Sequence, residues 1–348
     1  MPDITEEIVR IENAKDAIVD AIVAKGGTVP EGTTLDGFAS IIEAIPSGEG
    51  PTDYISYDEY DTSGNLTKAT VKHSSIQQYA FYNESTLTDC GMTGVTSIGN
   101  YAFYQCSNLT LTKLPDGLTS IGNYTFYKCT NLTLTSLPSG ITSIGSNAFY
   151  KCENITLTEL PSGITSIGSN AFAYCTNLAL TELPDGITSI ASSAFDECPN
   201  IALTKLPDGI TSIGYRVFSG CTNLALTELP AGITSIDSYA FQHCLNIALT
   251  KLPDGIKSIG NWAFIGCKNI ALTELPSGIT SISEMAFSHC TSLTSLTFKG
   301  KPNSIASNAF NNCTNLTDIK VPWSSGAVAG APWGATNATI TYDYVPTT

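Results

Sequence analysis

Ten cysteines recur in this chain at one fixed interval, the one that separates Cys106 from Cys129. We first ask what chemistry such a series of thiols could perform. Thiolates bind zinc, attack electrophiles and form disulfides, but zinc sites use close pairs such as C-x2-C, which are missing here. A catalytic cysteine would not recur ten times. We therefore interpret the column as small buried hydrophobic residues and expect no metal, no cofactor and no need for disulfides. Its members are Cys106, Cys129, Cys152, Cys175, Cys198, Cys221, Cys244, Cys267, Cys290 and Cys313.

The remaining groups with catalytic potential are few. His73, His243 and His289 are the only histidines. His243 and His289 lie two repeats apart, which places them about 10 Å from each other, too far for one metal ion. The sequence has no phosphate-binding loop, nucleophile elbow or HExxH motif. We therefore expect the protein not to be an enzyme.

Phenylalanines keep the same interval from Phe103 to Phe310, and Phe81 precedes Phe103 by a slightly shorter one. A unit of about 23 residues is too short to bury its own apolar side, so stacked units must share one core. In one unit, Ile141 and Ile144 flank a short extended piece, residues 148–152 suggest a tight helical turn or loop, and residues 155–158 suggest a half-buried strand. An asparagine column that includes Asn108 and Asn131 is interpreted as a buried amide ladder, which disfavours glycosylation of its N-x-T sequons.

The repeated pattern "SIG…AF..C.NL" resembles the BspA-like, cysteine-containing leucine-rich repeat of bacterial surface proteins, over roughly residues 76–320. The segment LTLTKLP departs from the family pattern because it is longer and richer in threonine. The resemblance implies extracellular binding rather than catalysis, although leucine-rich solenoids bind many unrelated ligands.

The first 46 residues differ from the repeats. Isoleucines spaced alternately by four and three residues, with Lys15 as the polar member, form the a/d seam of a helix that ends at Gly26 and Gly27. Such a seam favours more than two strands, so we expect a homo-oligomer, most simply a trimer. A helical hairpin with residues 35–45 as its second helix is the alternative. The seam consists of Ile4, Ile8, Ile11, Ile18 and Ile22.

The expected fold class is α+β repeat: a leucine-rich-repeat solenoid of about eleven repeats, mostly short strands and turns, with a small N-terminal helical module. The predicted divisions are the helical assembly or attachment module (1–46), a linker (47–53), a capping β-hairpin (54–75), the solenoid (76–320) and a C-terminal cap (321–348). Trp323 and Trp333 are expected to cover the last repeat, with a carbohydrate-stacking pair as the alternative.

Charge and the two chain ends bear on function. With 31 acidic and 16 basic residues the net charge is −15, which argues against a nucleic-acid partner. The sequence has no apolar run long enough to predict membrane insertion.

Residues 1–46 lack the features of a signal peptide. Three segments together resemble tail-fibre and tail-associated proteins of phages and prophages of gut bacteria. They are the N-terminal IENAKDAIVDAIVAKGGTVPEGTTLDGFASIIEAI, the hairpin YDEYDTSGNLTKATV and the C-terminal VPWSSGAVAGAPWGATNATI. The resemblance implies a virion protein that binds a host-cell surface glycan or protein and contacts other virion tail proteins. The alternatives are a bacterial cell-surface adhesin and a structural virion spacer.

Columns that vary between near-identical repeats point to a binding surface. They flank each phenylalanine, two residues before it and one or two after it, and mix rigid aromatic with adaptable polar side chains, as paratopes do. A freely drifting solvated surface is the alternative. A further column of mixed charge, from Lys113 to Glu274, is interpreted as serving solubility and register. The candidate ligand-binding residues are Tyr101, Tyr104, Tyr124, Tyr127, Tyr150, Tyr174, Arg216, Tyr239, His243 and Trp262.

Overall fold

The computed structural model describes residues 55–345, which wind into a β-solenoid with one turn for each repeat. Pairs of serine and isoleucine form the shortest strands, and they pair in parallel with the same residues of the next turn, as Ser143 does with Ser166. These strands form ladders β3-β5, β6-β7-β8-β9 and β10-β11-β12-β14-β16. Their bounds are β3 (Ser75–Ile76), β5 (Ser97–Ile98), β6 (Ser120–Ile121), β7 (Ser143–Ile144), β8 (Ser166–Ile167), β9 (Ser189–Ile190), β10 (Ser212–Ile213), β11 (Ser235–Ile236), β12 (Ser258–Ile259), β14 (Ser281–Ile282) and β16 (Ser304–Ile305).

The strand predicted at residues 155–158 is wrong. Burial does alternate there, since Ile155 and Leu157 are buried and Thr156 is exposed, but the segment does not form a paired strand. Thr156 donates one backbone hydrogen bond to Leu134, over 3.0 Å. Alternation shows which side chains are buried, and it does not require that adjacent backbones pair along their length. A second ladder forms in the last turns, from β13 (Glu274–Leu275), β15 (Ser295–Phe298), β17 (Asp318–Lys320) and β18 (Thr339–Thr341).

At residues 148–152, where a tight helical turn or a loop is predicted, the structure has non-helical turns, so the loop alternative holds. Lys151 in this segment and Asn147 just before it each have a φ of 56°, in the left-handed region. Corresponding positions in most other turns share this geometry, and Gly220 and Gly266 occupy two of them. Among residues 55–345 no helix is present, so the α part of the predicted α+β class rests on residues 1–46. That module and its five isoleucines lie outside the described residues.

A stack of phenylalanine rings fills the core. Consecutive rings from Phe81 to Phe310 are nearly parallel, with centroids 5.0 to 5.8 Å apart. Eleven turns carry such a phenylalanine. Trp333 follows Phe310 by one further repeat interval, is fully buried, and accepts the Phe310 N–H on its carbonyl over 2.9 Å. The solenoid therefore has about twelve turns rather than eleven.

A hairpin and two indoles occupy the ends of the solenoid. At the beginning, β1 (Ile55–Tyr60) pairs with β2 (Leu66–Val71), and β2 pairs in parallel with β4 (Asp89–Gly91) of the first turn. At the other end Trp323 and Trp333 are both buried, and both contact Phe298. Buried indoles have no free face for a sugar, which removes the carbohydrate-stacking alternative for this pair.

The asparagine column is at the surface, so its predicted burial is wrong. Asn108 and Asn131 are exposed, and the Asn131 amide donates to the Asn108 side-chain oxygen over 3.2 Å. The leucine that follows each of them is buried. Amides at the edge of the core can pair with each other and still reach water, whereas the aliphatic neighbour gains most from burial. The argument against glycosylation from a core position therefore does not hold.

Candidate functional site

The variable columns form one surface, which we call the aromatic face: the residues two before, one after and two after the core phenylalanine, in the turns of Phe81 to Phe264. Most of these side chains point outward, beside a left-handed backbone on both sides of each phenylalanine, while the ring itself enters the core. The buried side chains of the columns are those of Ala173, Ser193, Asp196, Ser219 and Ile265. All ten candidate residues lie on this face. His243 is exposed and the other nine are half-exposed.

Tyrosines dominate the N-terminal half of the face, where they form two adjoining stacks that we call the tyrosine ladder. In the longer stack the ring centroids of successive turns lie 4.7 to 4.8 Å apart and the planes differ by 9° or less. In the shorter stack the spacing is 4.7 to 5.0 Å. The longer stack contains Tyr82, Tyr104, Tyr127 and Tyr150, and the shorter one contains Tyr79, Tyr101 and Tyr124.

Stacking decides which part of each ring is presented to a ligand. Because successive rings cover each other's faces along the solenoid axis, a half-exposed tyrosine of the ladder presents its edge and hydroxyl. Burial raises the pKa of Tyr101, Tyr127 and Tyr150 above the usual value for a phenol. The hydroxyls therefore remain protonated at neutral pH and are available as hydrogen-bond donors.

Two lysines flank the ladder in consecutive turns. The Lys128 ammonium lies 5.3 Å from the centre of the Tyr127 ring. The Lys151 ammonium lies 5.8 Å from the Tyr150 ring and 5.3 Å from the Tyr174 ring. Both ammonium groups therefore lie close beside the rings of the ladder. Tyr174 in turn meets Tyr150 edge to face, with centroids 5.5 Å apart, and ends the cluster.

A second cluster lies further along the same face. The Arg216 guanidinium is 5.1 Å from the centre of the Tyr239 ring, which stacks on Trp262 at 5.9 Å. Arg216 Nη1 also lies 3.4 Å from Oδ2 of Asp196, whose residue is only 5% exposed. Burial raises the pKa of Asp196, although Arg216 and the nearby Ser219 hydroxyl oppose that shift.

The structure thus brings the candidate residues into two clusters on one face. Six tyrosines from Tyr101 to Tyr174 are joined by ring contacts, while Arg216, Tyr239 and Trp262 form the second cluster. His243 belongs to neither, and its ring packs over Gly266. Sequence reasoning omitted Tyr79 and Tyr82 from the candidates because the first repeat interval is shorter than the others. Counting from Phe81 would have placed both in their columns.

The opposite side of the solenoid carries the leucine-proline segments. A groove there is lined by Glu159, Leu160, Pro161 and their counterparts in neighbouring turns. Among the described residues no ion pair joins two members of the mixed-charge column, so its role in register stays a prediction. Glu274 pairs instead with Lys299, over 2.8 Å.

The cysteines offer no reactive centre. All eleven are buried and free, and burial raises the pKa of every thiol, to about 12 for Cys90 and Cys313. A protonated, buried thiol is a poor nucleophile. Within residues 55–345 no group of three metal-ligating side chains is found, and no helix there is long and apolar enough to cross a membrane.

Comparisons with known proteins agree with this architecture. The family model for the BspA-type leucine-rich repeat region matches residues 53–179, 96–225, 142–271 and 225–328, which together are well over half of the chain. No significant match was found among curated proteins.

The solved structures that resemble the solenoid include the following two. A leucine-rich cell surface protein of Faecalibacterium prausnitzii A2-165 is 26% identical, with 80% of each chain covered and a TM-score of 0.52. The pneumococcal vaccine antigen PcpA is 19% identical, with 83% of each chain covered and a TM-score of 0.54, a likeness that shows the fold alone. The expected likeness to phage tail fibres is not shown by these comparisons.

Proposed function

Because the chain belongs to the BspA-type leucine-rich repeat family, we propose that it is a non-enzymatic adhesion protein of a bacterial cell surface, with the aromatic face as its binding surface. This was the alternative interpretation of the sequence. It now takes precedence over the virion role, since the family model and the cell surface protein of F. prausnitzii both favour it. The partner is a glycan or protein on another cell. Oligomerisation through residues 1–46 stays a prediction.

One observation carries the proposal: bulky side chains occupy left-handed backbone positions on the aromatic face. Asparagine tolerates this conformation, and Asn147 and Asn170 use it. Tyr124, with a φ of 55°, and Trp262, with a φ of 62°, adopt it at a cost of about 1–3 kcal/mol each. The phenylalanine core does not require them, because turns with asparagine at this position bury their phenylalanines equally well. We attribute their presence to recognition.

The proposal is tested by replacing face residues with those that other turns carry in the same columns. Tyr124→Asn, Tyr127→Ser and Trp262→Asn combined should preserve the fold, because Asn147 and Ser219 already occupy the equivalent positions. We expect this variant to lose most of its binding to candidate host or partner cells. Circular dichroism and the melting temperature check that the fold is intact.

A matched control alters another side of the solenoid. Thr133→Ala and Thr156→Ala also use residues from equivalent positions, since Ala179 and Ala202 follow in that column. The control should bind cells as the unmodified protein does. Binding that survives in the face variant and falls in the threonine variant would contradict the proposal. An unmodified protein that binds no cell type would favour a spacer role instead.

A further inference from the structure

We propose that the tyrosine ladder, with Lys128 and Lys151, binds a linear glycan that carries repeated carboxylate or sulfate groups. This inference rests on the proposed function and names the ligand class of the same face. Three features of the ladder point to an anion, and the spacing of the turns points to a polymer.

Ring geometry is the first feature. An aromatic ring is negative on its face and positive at its edge. In the longer stack neighbouring rings lie 4.7 to 4.8 Å apart and cover each other's faces, so the accessible parts are edges and phenol hydroxyls. A neutral sugar recognised by stacking would need open ring faces. An oxyanion is matched instead, because it is attracted by ring edges and accepts hydrogen bonds from hydroxyls.

The lysines are the second feature. Lys128 and Lys151 occupy the same column in consecutive turns, so two positive charges lie side by side. Neither takes part in any ion pair found among residues 55–345. The chain has 31 acidic residues against 16 basic ones, so acidic side chains are common enough to pair with these two lysines. In the columns of the aromatic face, the turns of Phe103 to Phe172 nevertheless contain both lysines and no acid.

The protonation state of the ladder is the third feature. A phenol binds an anion only while it keeps its proton, and like phenolates in a stack would repel the ligand. Burial holds the pKa of Tyr127 and Tyr150 above the usual value, so both remain donors at neutral and mildly alkaline pH.

Repetition determines the form of the ligand. The ladder offers equivalent hydroxyls from Tyr127 and Tyr150, in consecutive turns, and equivalent ammonium groups from Lys128 and Lys151. A partner that repeats its own anionic group along a chain engages several of these at once, and each additional contact adds to the avidity. Acidic polysaccharides have this form. Nucleic acid also repeats an anion, but a protein charge of −15 opposes a polymer so densely charged.

The first test measures binding of the full chain to four immobilised polymers by surface plasmon resonance. Chondroitin sulfate carries sulfate and carboxylate, hyaluronan carries carboxylate alone, dextran is neutral and double-stranded DNA carries phosphate. We expect binding to chondroitin sulfate that weakens with added salt. Hyaluronan binding then distinguishes a carboxylate ligand from one that requires sulfate. Equal binding to dextran, tighter binding to DNA, or no binding to either acidic glycan would overturn the proposal.

Variants locate the binding. Lys128→Gln with Lys151→Gln should weaken glycan binding about tenfold or more, since two charge-assisted contacts are lost. The matched control, Lys205→Gln with Lys251→Gln, removes the same charge from the leucine-proline groove and should leave binding unchanged. Tyr104→Phe, Tyr127→Phe and Tyr150→Phe combined keep the stack and remove its hydroxyls, so this variant should also bind more weakly. Equal losses in the two lysine variants would show a non-specific charge effect and overturn the assignment.

Cell binding separates this inference from the function on which it rests. If the protein binds cells through the aromatic face and binds neither acidic glycan, the ligand class is wrong and the adhesion role stands. If neither cells nor glycans are bound, both proposals fail.

Discussion

The thiol of Cys152 donates a hydrogen bond to the backbone carbonyl of Phe126, one turn earlier, over 2.9 Å. All ten cysteines of the column make the same bond to the phenylalanine of the preceding turn, at 2.9 to 3.2 Å. The Phe126 carbonyl also accepts the Cys129 N–H, over 3.1 Å. The column therefore connects turns as well as filling space.

Replacing one of these thiols should reveal its contribution as a donor. We expect Cys152→Ala to lower the free energy of unfolding by about 1–2 kcal/mol, because a buried hydrogen bond and a small volume are both lost. Cys152→Ser keeps a donor and should lose less. Urea unfolding followed by circular dichroism measures both variants, with Cys90→Ala, outside the column, as the reference. Equal stability of the alanine and serine variants would show that the hydrogen bond contributes nothing.

The free energy of unfolding should also decrease at alkaline pH. Burial raises the thiol pKa from an ordinary value near 9 to about 12 at Cys90 and Cys313, and raises it at every other cysteine too. Above pH 9 the unfolded chain loses thiol protons while the folded chain keeps them, so the unfolded state is favoured progressively. Thiol ionisation should therefore leave the free energy of unfolding unchanged below pH 8 and lower it between pH 9 and 12. A stability that rises over that window would contradict the burial of the thiols.

The left-handed column continues beyond the aromatic face, into the turn of Phe287, and gives a prediction that does not involve binding. Met285 has a φ of 49° and makes no ring contact in the two aromatic clusters. Met285→Asn should leave the free energy of unfolding unchanged or raise it by up to about 1 kcal/mol, because asparagine adopts this conformation more readily. Met285→Val should lower it by about 1 kcal/mol or more, since a β-branched residue is strained there. Thermal unfolding compares the pair, and the reverse order would exclude the left-handed geometry.

The stability of the twelfth turn should depend on the buried indole of Trp333. Trp333 is fully buried, and its Nε1 donates to the Ala329 carbonyl over 2.8 Å. We expect Trp333→Ala to cost about 3–5 kcal/mol and to expose the last turns to amide hydrogen exchange before the rest. The half-exposed Trp262, replaced in the same way, should cost much less. Unchanged amide exchange in residues 310–345 of the Trp333 variant would contradict the role of Trp333 in stabilising the last turn.

Sequence periodicity predicts the core well because burial must repeat when identical units stack. Phe149 and Cys152 could be placed in the core from their spacing alone. The short extended piece between Ile141 and Ile144 could also be predicted, and it contains the ladder strand Ser143–Ile144. The second strand could not, since Ile155 and Leu157 alternate like a strand without forming one. The left-handed conformation of Tyr124 could not be predicted, because aromatic residues rarely adopt it. Trp333 was missed as a turn because it replaces phenylalanine.

The most direct test of the account asks where the partner lies on the folded protein. Hydroxyl-radical footprinting of the full chain, with and without the envelopes of a cell type that it binds, reports the protection of individual side chains. We expect protection of Tyr104, Tyr127 and Tyr150 on the aromatic face, with no change at the half-exposed Pro161 and Pro184 in the groove on the opposite side. Protection of that groove with unchanged reactivity of the three tyrosines would contradict the central claim.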